Sequence, residues 1–253
     1  FDPSVTMRWM NAHWSFAFAT VTLYVCLVFA GKHYMSERKP WSWRPQLAAW
    51  NLLLSTFSTW GFLRCLPHLL HNFATLSFRD NFCVPARTTV GGGSTGLWIF
   101  LFTISKFPEL MDTFFIIIHK KKLMFLHWYH HVTVLLYCWH CYTTASIPGI
   151  IFVTMNFGVH ALMYGYYFLM AIRQKPKWFN PMVITVLQVS QMFVGVGTTL
   201  LGFYYLKTDP ECAIGAENTN AGFVLYGSYL VLFLQFFFGR YFVKTNTSTR
   251  VAG

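Results

Sequence analysis

Residues 122–139 read KLMFLHWYHHVTVLLYCW. Most of this stretch is lipid-soluble, yet three imidazoles sit where a membrane helix takes leucine. His127, His130 and His131 follow i, i+3, i+4 spacing, so they share one helical face about 100° wide. A lone intramembrane histidine is commonly a hydrogen bond between helices. Three on one stripe demand a polar interior, and the rest of the chain must supply it.

Composition places that interior in a membrane. Of 253 residues, 55% are hydrophobic, 20% aromatic and only 11% charged, about half the charged share of a soluble domain. Mean hydropathy is +0.43. Seven apolar stretches, near 12–31, 46–70, 96–118, 123–143, 149–172, 181–206 and 221–242, each reach the roughly 20 residues that cross a bilayer. The expected fold is all-α: a polytopic membrane protein of seven transmembrane helices. Residues 1–243 form one domain, and the polar stretch 244–253 is expected to be a disordered tail. The first apolar stretch is expected to be a spanning helix and not a signal peptide, since it is too long and residues 1–11 form no basic segment before it.

Net charge is +11, but its distribution argues against a nucleic-acid partner. If the first loop is cytosolic, thirteen of the nineteen lysines and arginines share that side: Lys32, Arg38, Lys39, Arg44, Lys120, Lys121, Lys122, Arg173, Lys175, Lys177, Arg240, Lys244 and Arg250. Only four, Arg8, Arg79, Arg87 and Lys207, fall opposite. That bias is the positive-inside signature, so the N-terminus is expected in the lumen and the C-terminus in the cytosol. Asn246-Thr247-Ser248 then lies on the wrong side for glycosylation. Of six cysteines, only Cys83 and Cys212 fall in lumenal loops, where thiols oxidise, and they are expected to pair.

The third apolar stretch carries Lys106, Glu109 and Asp112 at intervals of three, with Pro108 expected to kink the helix. Charges at the centre of a spanning helix cost about 2.5–3.5 kcal/mol each on insertion scales, so they must pair or face a cavity. The fifth stretch adds Asn156, His160, Tyr164 and Tyr167, and the sixth adds Thr185, Gln188 and Gln191. At about 1.5 Å per residue, Asp112 lies roughly 9 Å from the cytosolic end, Gln188 about 10 Å, His130 about 11 Å and His160 about 18 Å. Four helices therefore aim polar groups at one cytosolic-side stratum. Its mouth carries Lys120, Lys121 and Lys122, which suit a phosphate-bearing substrate and equally well simple anchoring. His68, His71, His140, His13, His33 and His119 lie outside the stratum.

Two chemistries fit buried imidazoles. A membrane di-iron desaturase or hydroxylase needs several histidine boxes at one depth, but the other pair, His68 and His71, is half a membrane away. Alternatively, a neutral imidazole attacks a thioester and holds the acyl group as a reactive acyl-imidazole. No cysteine lies in the stratum to do this instead. A seven-helix receptor would want its pocket on the lumenal side, and a transporter would want polar access from both faces.

The boxes themselves resemble those of the ELO family of fatty-acid elongases. KFPELMDT (106–113) resembles its K-x-x-E-x-x-D-T box and HWYHH (127–131) its H-x-x-H-H box. NFGVHALMYGYY (156–167) resembles N-x-x-x-H-x-x-M-Y-x-Y-Y, and TVLQVSQ (185–191) resembles T-x-x-Q-x-x-Q. The similarity runs from about residue 8 to 243, and Trp128 resembles the branch acting on saturated and monounsaturated chains. The resemblance implies an endoplasmic-reticulum enzyme with helices two to seven as a six-helix barrel around an acyl tunnel. It implies a 3-ketoacyl-CoA synthase that joins acyl-CoA to malonyl-CoA, with no metal or other cofactor. By analogy His130 carries the acyl group opposite His160, with His127 and His131 orienting or deprotonating. Asn156 and Tyr164 are expected to stabilise the oxyanion, and Asp112 to fix an imidazole tautomer. Lys106, Glu109, Tyr167, Gln188, Gln191 and Lys120–Lys122 are assigned to substrate binding. Membrane lipid, other enzymes of the elongation cycle and a second copy of the chain are the expected partners.

Overall fold

The structure, a computed structural model, describes residues 1–86 and 92–242. Arg87 and the tail 244–253, expected to be disordered, lie outside the described residues. Among the described residues the protein is helical, without strands. Ten α-helices follow in order: α1 (Pro3–Ala12), α2 (Trp14–Met35), α3 (Arg44–Thr75), α4 (Asp80–Cys83), α5 (Gly93–Ser105), α6 (Met111–Ile118), α7 (Phe125–Thr143), α8 (Gly149–Ala171), α9 (Met182–Thr208) and α10 (Ala216–Tyr241). By length and composition α2, α9 and α10 are apolar enough to cross a membrane. This is a multi-pass membrane protein.

The short helix α1 begins by the usual rules. Asp2 accepts hydrogen bonds from the Ser4 N–H and hydroxyl, both at 2.8 Å, and Pro3 occupies the first helical position, where a missing N–H costs nothing. On α2 the buried side chains are Ala17, Val21, Tyr24, Val28 and Met35, a single stripe at helical spacing. The other face presents Leu23 and Leu27, each about 60% exposed, which suits lipid.

Helices α3 and α8 form the most extensive pair. Small and polar residues along α3, including Asn51, Ser58, Gly61 and Cys65, let the backbones approach. At Gly61 an added Cβ would lie 2.5 Å from the Phe157 ring. Next, α8 packs on α9, α9 on α10, α10 on α7, α7 on α5, and α5 back on α3, while α2 lies against α6 and α7.

Polar contacts knit the two ends of this bundle. At one, the Trp41 N–H donates to Ile118 O at 2.9 Å, Lys120 Nζ to the Ser36 and Arg38 carbonyls, and Arg44 to the Ala171 and Met170 carbonyls. At the other, Cys83 and Cys212 are joined by a disulfide with Cα atoms 4.4 Å apart. Beside it Arg79 Nε donates to Asp209 Oδ2 at 2.6 Å, and Gly93 N–H to Phe1 O at 2.9 Å.

Pro108 does more than kink its helix. The run ends at Ser105, passes through a 3₁₀ turn at Pro108–Leu110, and resumes at Met111. The proline cannot donate, and the chain answers with i→i−3 bonds from Phe107 to Ile104 and Leu110 to Phe107. At three residues per turn, side chains three apart eclipse one another. That places Lys106 directly beside Glu109.

Candidate active site

The interruption between α5 and α6 carries a buried ion pair. Lys106 Nζ lies 2.7 and 2.9 Å from the two Glu109 carboxylate oxygens, and both residues are at most 3% exposed. Ser105 Oγ donates to Glu109 Oε1 at 2.9 Å. The ammonium also reaches Asn156 Oδ1 on α8 at 3.4 Å and sits 4.1 Å from the Phe102 ring centroid. Partners on every side are what make a charged pair tolerable at this depth. The far carboxylate oxygen of Glu109 stands 4.0 Å from His160 Nδ1, so the histidine of α8 faces this pair.

Three residues further, Asp112 turns to other partners. Trp50 Nε1–H donates to its Oδ1 at 2.7 Å, and the Tyr164 hydroxyl donates to its Oδ2 at 2.6 Å. The expected contact between Asp112 and an imidazole is not among these bonds. The hydroxyl that meets a histidine is instead that of Thr113, whose Oγ1 lies 2.9 Å from His127 Nε2 and 2.7 Å from the Tyr24 hydroxyl. Tyr164 likewise has its proton engaged by Asp112.

On α7 the three imidazoles form one chain of rings. His127 and His131 centroids are 4.6 Å apart, and His130 and His131 5.5 Å. Beyond them lies Tyr229 of α10, 5.1 Å from His130. Its hydroxyl donates to His130 O at 3.2 Å and lies 2.6 Å from Thr133 Oγ1. A partly open cavity starts here, with His130, Asn156, Gln191 and Tyr229 in its wall. It follows one face of α7 through Val134, Cys138 and Cys141, passes Ala145 in the turn beyond, and reaches Pro3 and Met7 of α1. From His130 to Cys141 that is about 16 Å of helix rise. The walls past the first polar residues are almost wholly apolar. Such a slot suits a long alkyl chain with its reactive end at His130.

The remaining expected residues scatter more. Gln188 donates to Met163 Sδ at 3.3 Å on the α8–α9 seam. Tyr167 is 46% exposed and packs its ring against Tyr166. Lys120 staples the loop at residues 36–38, whereas Lys121 and Lys122 are exposed beside it. Among the described residues no three or more His, Cys, Asp or Glu side chains are grouped to hold a metal ion.

Sequence reasoning passed over Tyr24, Trp50, Thr133 and Tyr229. Each is an aromatic or hydroxyl-bearing residue in a chain with ten tryptophans and thirteen tyrosines, so none stands out by type. Tyr24 did carry a signal, being the polar-tipped member of an otherwise aliphatic stripe on α2.

Comparison with known proteins gives a consistent picture. The family described as "ELO: GNS1/SUR4 family" matches residues 9–249. "Very long chain fatty acid elongase 6" of Mus musculus is 38% identical over 251 residues, 99% of this chain and 93% of that protein. "Very long chain fatty acid elongase 3" of Homo sapiens is 37% identical over 254 residues, with 99% and 93% covered. "Fatty acid elongase 3" of Trypanosoma cruzi (strain CL Brener) is 34% identical over 261 residues, with 92% and 86% covered.

Proposed function

We propose that this chain, which belongs to the ELO: GNS1/SUR4 family, is the condensing enzyme of fatty-acid elongation. It joins a long-chain acyl-CoA to malonyl-CoA and releases 3-ketoacyl-CoA, carbon dioxide and CoA. Similarity over nearly the full length of very long chain fatty acid elongases supports the reaction. One observation carries the mechanism: His130 stands at the polar end of a deep apolar cavity.

The neutral His130 imidazole attacks the thioester carbonyl, a C–N bond forms as the C–S bond breaks, and CoA leaves as thiolate to be protonated. The acyl-imidazole retains thioester-like reactivity. Malonyl-CoA then loses carbon dioxide, and the resulting carbanion attacks the acyl carbon, forming the C–C bond and freeing His130. No cofactor beyond the two substrates is required. Asn156, whose carbonyl oxygen accepts from the Lys106 ammonium, lines the cavity and supplies its amide N–H as the oxyanion donor. His160, facing Glu109, serves the second half-reaction from the opposite wall. His127, held by Thr113, and His131 orient His130 and relay its protons. Tyr164 and Asp112 position these groups rather than touching substrate.

The neighbour circuit α3–α8–α9–α10–α7–α5 supports a six-helix barrel around the acyl tunnel, with α2 outside it. Counting α5 and α6 as one span gives seven crossings between the basic and the disulfide-bearing ends. The charge bias supports placing the basic end in the cytosol, in the endoplasmic-reticulum membrane, where Lys121 and Lys122 meet the CoA phosphates.

Intact-mass analysis after exposure to acyl-CoA alone tests the covalent step. The expected result is an adduct of acyl mass, discharged by malonyl-CoA, absent in His130→Ala and present in the exposed His33→Ala. A protein that condenses both substrates without ever carrying acyl defeats the two-step mechanism.

A further inference from the structure

A second, partly open cavity lies beside the distal half of the first. The two share walls: Tyr137, Ala145, Ser146 and Phe152 line both. The partition is therefore a single layer of side chains, and its bulk is aromatic. Tyr226 braces it from α10, stacking on Phe152 at 4.7 Å and meeting Tyr137 edge-on at 5.9 Å. Two glycines make room for the rings. An added Cβ on Gly222 would lie 2.7 Å from the Tyr137 hydroxyl, and one on Gly195 would lie 2.5 Å from the Tyr226 ring.

At its distal end the main chamber meets Pro3 and Met7 of α1. There the Tyr142 hydroxyl lies 2.6 Å from Thr6 Oγ1, which ties α7 to α1. For a chain longer than the roughly 16 Å of helix between His130 and Cys141, the chamber behind Tyr137 is an adjoining space among the described residues. That chamber is of mixed character, with Ala213, Ile214 and Ala216 offering apolar wall beside Glu217 and Asn218. The hydroxyls of Thr199 and Thr219 are occupied by their own backbone, donating to Val196 O and Gly215 O. Filling it with alkyl chain strands neither of them.

We propose that the Tyr137–Phe152–Tyr226 wall is the specificity-determining element that limits acyl length, by shutting the growing chain out of this second chamber. The inference rests on the condensing activity proposed above. Tyr137 starts about 10 Å beyond His130 along α7, so it touches the chain's distal part and not the reacting atoms. Opening the wall joins the two spaces, and each further methylene buried there strengthens binding about fourfold.

Purified protein is assayed with malonyl-CoA across saturated acyl-CoAs of increasing length. In Tyr137→Ala the ratio of kcat/KM for the first chain that the native protein rejects to that for its best chain is expected to rise at least tenfold. Phe152→Ala, an independent opening of the same wall, is expected to shift it the same way. Adding Thr198→Phe to Tyr137→Ala refills the second chamber from α9 and is expected to return the native ratio. An unchanged ratio in both single variants, each still condensing its best substrate, overturns the wall. A native protein that elongates no acyl-CoA instead overturns the activity itself, which keeps the two failures apart.

Discussion

Lys106 and Glu109 form a nearly solvent-free ion pair across a single 3₁₀ turn, 2.7 Å apart at closest approach. Breaking it from one side leaves a buried charge without its counter-ion, which costs about 3–5 kcal/mol. Glu109→Gln is therefore expected to lower the unfolding temperature markedly in detergent. The double variant Lys106→Met, Glu109→Gln is expected to recover much of that loss, because no lone charge remains. Thermal unfolding of the single and double variants checks both.

Thr113 holds His127 and Tyr24 at once. Thr113→Val keeps the shape and deletes the bridge, so the imidazole loses its orienting partner. We expect kcat to fall roughly tenfold to a hundredfold, less than the roughly 10²–10⁴-fold that a general acid–base group itself contributes, because the imidazole is misoriented and not removed. KM for acyl-CoA is expected to stay nearly constant. Thr113→Ser, which restores the hydroxyl, should recover most of the rate. Equal losses in Val and Ser variants would indicate packing instead.

Gly61 faces the Phe157 ring with no space for a methyl group. Gly61→Ala must push α3 and α8 apart or swing the ring, at about 1–3 kcal/mol for such overpacking. Pairing it with Phe157→Leu should restore part of the stability. The readout is the unfolding temperature of the three variants.

Outside the membrane, the Arg79 hydrogen bond holds the Asp209 carboxyl below its ordinary value of 3.8. A carboxylate with a lowered folded-state pKa stabilises the fold above its ordinary pKa, and the contribution disappears as pH falls through the folded value. The clamp is thus complete at neutral pH and lost only in acid. Asp209→Asn is expected to lower stability at neutral pH and to flatten the acid limb of the stability profile. Because both groups are solvent-accessible, salt should shrink the difference. Unfolding temperature against pH, at low and high salt, measures it.

Several elements of this protein were readable one residue at a time. The helices near 46–70, 123–143, 149–172 and 181–206 follow from apolar runs of membrane length, and α3, α7, α8 and α9 lie over them. The break at Pro108 was legible as a kink but not as a 3₁₀ interruption, since the missing donor does not say how the chain repairs itself. The pairing of Asp112 was not legible. A carboxylate on a helix of unknown rotation faces histidine, tryptophan and tyrosine with equal sequence support.

By itself the sequence determined the solvent this protein folds in and the stripe that gathers its imidazoles. Those follow from hydrophobic period and charge placement, which are properties of one helix at a time. The tertiary structure decided which histidine looks into the cavity, that Thr113 rather than Asp112 meets His127, and that a single aromatic layer divides two chambers. Such choices depend on how far each helix is rotated about its axis against its neighbours. That angle is set by interhelical packing, and no local pattern encodes it.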